Sequence, residues 1–374
     1  PERSPNMAGK PSLTQYLSVL TAILCLSWPI GSSGPSGSSG LSCKLAGSAA
    51  ADDSNSSYRS NSSNSSNSSN SSNSSNGSNS SNRPTAKPRV VSLAPSNTEL
   101  LCSVGAKDQI IGVSSFCDYP KDVAKITKAG TFISANLERL ARLKPDLVML
   151  VSGQEELAGK IKNHHINTVV IANEKLTDIG KNLKRIGELT GHCQEGSDAA
   201  QNFEAKLQAL AKIIDKSKLR PKVFYCVWPQ PLMTAGKASF INGVITSCGG
   251  TNVAGDMNAS YPRFSLERLV LSNPDLIIMP YEARNQTFIK QSPWNKLQAV
   301  RQNKIYYLPD QKNDMLSRPT LRVLKGMAWL GGVFHPELRS ELANWSEPTT
   351  VAKAASKPLR SSAPNSFNNV YVRN

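Results

Sequence analysis

Leu137-Glu138-Arg139-Leu140, followed after four residues by Pro145-Asp146-Leu147-Val148, returns later in the chain as Leu266-Glu267-Arg268-Leu269, followed after four residues by Pro274-Asp275-Leu276-Ile277. A match at so many positions with one spacing marks two copies of a structural unit. Each copy reads as a short helix feeding a buried strand. Asn136 and Ser265 are N-caps, Glu138 and Glu267 fall at the second helical position where a carboxylate favours the positive helix end, and Pro145 and Pro274 stop the helix. The apolar runs 147–151 and 276–279 are short and bounded, as strands buried on both faces are. The expected fold class is α/β: two similar lobes with mainly parallel sheets, each presenting one glutamate at an equivalent helix start.

Working outward, residues 89–93 read as a strand, and Ser96-Asn97-Thr98-Glu99 as a capping box opening a helix that ends at Gly105. A strand at 109–113 leads into a polar and aromatic loop at 114–120. A helix over 155–163 and a strand over 168–171 complete the first lobe. Phe203, Leu207, Leu210 and Ile214 then recur at helical spacing with no glycine or proline among them, which predicts one helix from Ser197 to about Leu219, roughly 30 Å long, as a stiff link between the lobes. The second lobe repeats the plan. It has a strand at 222–227, a loop at 228–233, a helix after Ser239 that stops at Gly249-Gly250, a strand at 304–308, and a last helix over 320–330 ending at Gly331-Gly332.

The flanks do not read as a globule. Met7, Lys10 and the apolar run 16–30, too short to span a bilayer, read as a signal peptide, which implies export. Leu41-Ser42-Cys43 resembles a bacterial lipoprotein cleavage site, with Cys43 as the lipidated residue and a membrane anchor as its consequence. The Asn/Ser repeat at 52–82 cannot bury enough surface to offset ordering and reads as a flexible tether. The expected organisation is a leader over 1–43, a linker over 44–87, a first lobe over 88–194, a linking helix over 195–219, a second lobe over 220–340, and a disordered tail over 341–374. The repeat also holds many Asn-x-Ser acceptor sites, so a glycosylated secreted module is a competing reading.

The formal charge of +16 could mean anionic partners, but Lys and Arg are dispersed among acids with no basic run, which argues against nucleic acid. Outside the leader lie Cys102, Cys117, Cys193, Cys226 and Cys248, an odd number without a CxxC, so no disulfide pairing follows. Four histidines, with His164 and His165 about 100° apart on a helix, do not form a metal site. No GxSxG, HExxH, P-loop or GxGxxG is present, which favours a non-enzymatic binder over an extracellular enzyme acting on a flat substrate.

In open α/β sheets, ligands collect beyond the carboxyl ends of the strands. Both lobes carry aromatic residues there: Phe116, Tyr119 and Phe132 in the first, Trp228, Tyr261 and Phe264 in the second. Facing aromatic mouths suit a large, flat, partly apolar ligand.

The stretch from Arg89-Val90-Val91-Ser92-Leu93-Ala94-Pro95 through Ser96-Asn97-Thr98-Glu99-Leu100, the Gly112-Val113-Ser114-Ser115 and Asp118-Tyr119-Pro120 segments, both Leu-Glu-Arg-Leu copies and Cys248-Gly249-Gly250-Thr251-Asn252 together resemble the helical-backbone class of periplasmic substrate-binding proteins. Within that class they are most similar to the cobalamin (vitamin B12) binders, over about residues 88–338. The resemblance implies a protein of the periplasm or outer membrane face that takes cobalamin between its lobes and delivers it to an ABC importer. Glu138 and Glu267 would then pair with arginines on the two copies of the permease dimer. Tyr119 stands at the family's ligand-contacting tyrosine, Phe132 and Tyr261 stand where cobalamin binders carry tryptophan, and Met233 replaces a contact that is aromatic in some members. Val151 stands where a further family tryptophan is found. With Trp228, these form the expected ligand set; the departures leave haem or a ferric siderophore as the alternative ligand.

Overall fold

The structure, a computed structural model, describes residues 87–345. The expected leader, Cys43, nearly all of the linker and the tail beyond Trp345 lie outside the described residues. The first half runs β1 (Val90–Ser92), α1 (Pro95–Ser103), β2 (Ile110–Ser114), β3 (Lys128–Gly130), α2 (Leu137–Leu143), β4 (Leu147–Val151), α3 (Glu155–Lys162) and β5 (Thr168–Ile171). Its strands form one sheet in the order β3-β2-β1-β4-β5, every neighbouring pair parallel. Two long helices follow, α4 (Leu176–Thr190) and α5 (Cys193–Ile214). The second half runs β6 (Lys222–Pro229), β7 (Leu232–Thr234), α6 (Phe240–Ser247), β8 (Thr251–Asn252), α7 (Leu266–Ser272), β9 (Leu276–Pro280), α8 (Gln298–Arg301), β10 (Ile305–Leu308), α9 (Asp310–Ser317), α10 (Val323–Phe334) and α11 (Arg339–Asn344). In this half β6 pairs in parallel with β9 and β8, β9 with β10, and only β7 runs antiparallel to its neighbour. The fold is α/β with mainly parallel sheets.

The two sequence copies fold alike down to their caps. The Asn136 side chain accepts from the Arg139 N–H at 2.8 Å, and Ser265 accepts from the Arg268 N–H at 3.1 Å. Each helix ends in a left-handed residue, Lys144 at φ 46° and Asn273 at φ 39°. The aspartate that follows does more than end a turn. Asp146 Oδ2 accepts from the Arg89 N–H and Asp275 Oδ2 from the Lys222 N–H, each at 2.7 Å, so in both halves it anchors the start of the strand alongside. β1, β4 and β5 thus correspond to β6, β9 and β10.

Several expectations need correction. The link is a pair of helices: α5 begins earlier and ends at Ile214, about 33 Å long, and α4 lies against it. The two approach closely because Gly187 meets Gly196; a Cβ on Gly196 would fall 2.6 Å from the Leu183 carbonyl oxygen. Ser96 is not a cap and Glu99 closes no capping box. Pro95 takes the first helical position after Ala94, and Glu99 turns inward to two guanidinium groups. The expected loop at 228–233 is a β-hairpin formed by β6 and β7. The last long helix runs through Gly331-Gly332, because Gly331 faces Leu342 and Ile214 at contact distance and continuing the helix covers that core. α11 carries the fold past the expected boundary at 340, with Leu342 buried.

One continuous core joins both halves. Leu100, Met149 and Ile186 from the first cluster with Phe203 and Ile214 of α5 and with Val223, Val244 and Leu324 from the second. The described residues from Pro88 to Trp345 accordingly fall in a single compact unit.

Candidate ligand-binding site

In a parallel sheet the loops after the strands gather at one edge, and there the two halves meet. The loop after β2 carries Phe116, Asp118 and Tyr119, and it touches the segment where α9, which follows β10, gives way to α10. The contact is ionic. Arg318 Nη1 donates to Glu99 Oε1 at 3.1 Å and to Asp118 Oδ1 at 2.7 Å, while its Nη2 lies 3.0 Å from Asp314 Oδ2. Arg322 Nη1 donates to the same Glu99 oxygen at 3.0 Å, and its guanidinium carbon sits 4.0 Å from the centre of the Tyr119 ring. Glu99 is only 4% exposed, whereas Tyr119 is 44% exposed and offers aromatic surface to solvent.

Three carboxylates and two guanidinium groups share this junction, and the balance tells on Asp314. Burial, with help from Asp118 and Glu99 and against the pull of Arg318 and Arg322, pushes its carboxyl up to about 6. Arg318 loses hydration, but Asp314, Asp118 and Glu99 outweigh that loss and hold its guanidinium charged. The sequence did not reveal this cluster: Asp314, Arg318 and Arg322 recur every four residues, but the helix ends at Ser317 before Pro319, so only the fold brings the three together.

The expected ligand residues divide into surface and support. Phe132 follows β3, half-buried, and its carbonyl accepts from the Gln154 side chain. Trp228, half-buried at the end of β6, donates from Nε1 to the Gln230 carbonyl at 2.7 Å, which fixes the indole on the hairpin. Tyr261 is half-buried against the shared core, and burial pushes its phenol up to about 12. Met233, 1% exposed, is buried in the hairpin and itself forms an isolated antiparallel bridge with Arg263. Phe264 departs from the expected mouth: it is buried against Phe224, ring centres 5.3 Å apart, with the Arg268 guanidinium over its ring. Among the described residues no group of His, Cys, Asp and Glu is arranged to hold a metal ion.

Glu138 and Glu267 are both exposed at the second position of their helices. A helix that precedes a parallel strand runs antiparallel to it, so its first turn sits at the strand's carboxyl edge. Each glutamate therefore stands on the edge of its own sheet that carries the aromatic residues. Glu138 is 75% exposed in its side chain and pairs with Arg142 at 2.5 Å.

A model of the periplasmic binding protein family matches residues 90–312. A vitamin B12-binding protein of Vibrio parahaemolyticus is 30% identical over 242 residues, 64% of this chain and 86% of the relative. A vitamin B12-binding protein of Salmonella typhimurium is 34% identical over 218 residues, 58% of this chain and 80% of the relative. Among solved structures, the periplasmic vitamin B12 binding protein of Vibrio cholerae superposes with a TM-score of 0.58 at 25% identity, covering 69% of this chain and 98% of that one. The periplasmic heme-binding protein of Roseiflexus sp. RS-1 has the same fold, with a TM-score of 0.61 at 20% identity over 67% of this chain and 99% of that one. The chain belongs to the periplasmic binding protein family, extracytoplasmic proteins that bind a solute for transport and are not catalysts.

Proposed function

We propose that the chain captures cobalamin or a related corrinoid between its halves and delivers it to the two-fold permease of an ABC importer. The observation that carries the reading is the chemistry of the junction beside Tyr119. Corrinoids are rimmed by primary amides, each both donor and acceptor, whereas haem presents carboxylates. Here three carboxylates, Glu99, Asp118 and Asp314, share the junction with Arg318 and Arg322, so acidic groups outnumber guanidinium groups there. A ligand carboxylate would meet Asp118 and Asp314 at close range, which costs affinity. An amide would not. Tyr119, Phe132, Trp228 and Tyr261 supply aromatic surface for a flat macrocycle, with Met233 packed behind.

Similarity to proteins named as vitamin B12-binding supports the same ligand. Glu138 and Glu267, equivalent acids on equivalent helices, suit arginines on the two copies of a permease dimer. Glu138 would lose little by leaving Arg142, since so exposed an ion pair contributes about 0.5 kcal/mol. Cys43, lipidated, would tether the protein to the membrane through the Asn/Ser tract. The absorbance spectrum of protein isolated from its source cells tests the ligand: a corrin spectrum is expected, and a haem Soret band or a ferric siderophore band would reject the assignment.

A further inference from the structure

We propose that Glu99, buried at the junction of the two halves, is the positioning residue of the proposed ligand site: one carboxylate holds Arg318 and Arg322 against the first half and so fixes the Tyr119 ring. The inference goes beyond the ligand assignment but rests on it for the affinity readout. Glu99 Oε1 accepts from both guanidinium groups, and both belong to the other half of the fold, 219 and 223 residues away in sequence. The Arg322 guanidinium carbon in turn sits 4.0 Å from the centre of the exposed Tyr119 ring. The line of contact runs from a buried anion, through a cation, to an aromatic surface that faces the ligand space. A buried carboxylate with no such duty would be expensive, because its desolvation is repaid only by partners held in good geometry. Here the partners are the parts that must be placed.

Asp314 reports on the arrangement without contacting Glu99. The charged groups that face it are Arg318, Asp118, Arg322 and Glu99, so removing the Glu99 charge alters the field at Asp314 directly and also frees both guanidinium groups to turn toward it. A shift in that titration shows only that the Glu99 charge reaches Asp314; placement of Arg322 is read from the Tyr119 ring resonances, which shift if Glu99 holds that guanidinium at the ring and stay put if Glu99 merely fills space.

The experiment compares the native protein with Glu99→Gln. Cyanocobalamin affinity is read by calorimetry, and the Asp314 carboxyl titration and the Tyr119 ring resonances by carbon NMR on ligand-free protein. The proposal expects affinity to fall about tenfold or more, the size of one or two lost charge-assisted contacts. It also expects the Asp314 midpoint to move to lower pH. Unchanged affinity overturns it wherever the midpoint falls, and so does weaker binding with the Tyr119 ring resonances unmoved, which would be simple loss of stability. If Glu99→Gln does not fold, Arg322→Gln and Arg322→Lys replace it: the first should weaken binding and the second restore most of it, and equal affinity in both overturns the proposal. If the native protein itself binds no cyanocobalamin, the ligand assignment fails, and the Tyr119 ring resonances of the ligand-free protein then decide the role of Glu99.

Discussion

Asp314 carries the clearest pH signature of any single residue described. Its carboxyl is held near 6 in the fold against about 3.9 in an unfolded chain. The folded state therefore binds the proton more tightly, and the charged form costs stability. That cost is absent below the unfolded value, grows as pH rises through the interval and is complete above the folded one. Asp314→Asn should stabilise the protein by about 2 kcal/mol at pH 7.5 and leave it nearly unchanged at pH 3.5, read from urea unfolding midpoints at the two pH values. Equal effects at both would contradict the assignment. The same residues mark where reading the sequence fell short. Ser96-Asn97-Thr98-Glu99 fits a capping box by pattern, yet the partners that turn Glu99 inward stand more than two hundred positions away. Tyr119 was visible because it follows a strand in a polar loop. Phe264 was misread because its position matches that of Phe132, while only the packing of Phe224 tells that it points inward.

At the scale of elements, the doubled Leu-Glu-Arg-Leu segments were legible because everything they need is local: a cap, a dipole, a left-handed end and a proline. The strand-anchoring role of Asp146 and Asp275 was not, since the N–H that each accepts comes from another strand. α4 was missed for a related reason. Leu176, Ile179, Leu183 and Ile186 keep helical spacing, but Gly180 and Gly187 interrupt the pattern, and only contact with α5 explains why glycine belongs there. Gly196→Leu should destabilise by about 3 kcal/mol or more, because backbone at the helix crossing must move. Gly159→Ala is the opposite case: nothing lies within 4 Å of its Cβ, so it should stabilise α3 by about 0.5–1 kcal/mol. Thermal unfolding of the two variants side by side checks the pair, and similar shifts would contradict the close approach of α4 and α5.

For the whole molecule, the doubling visible in sequence is real but the halves are not independent. A core that passes without interruption from β1 through α5 to α10, and an ionic junction at the mouth, join them at two levels. The proposed docking of both acids on a permease requires that these joints keep the separation of the acids nearly fixed. Charge reversal of Glu138 and Glu267 together should abolish uptake while leaving ligand affinity within about twofold, measured by labelled-cobalamin transport and by titration of the purified variant. Normal uptake would reject the docking role. Cobalamin binding is the property on which the proposed function depends. Calorimetric titration of ligand-free protein with cyanocobalamin, and separately with haem, should give one site per chain at about micromolar affinity or tighter for the corrinoid and at least tenfold weaker binding for haem; no heat with cyanocobalamin, or a preference for haem, would contradict it.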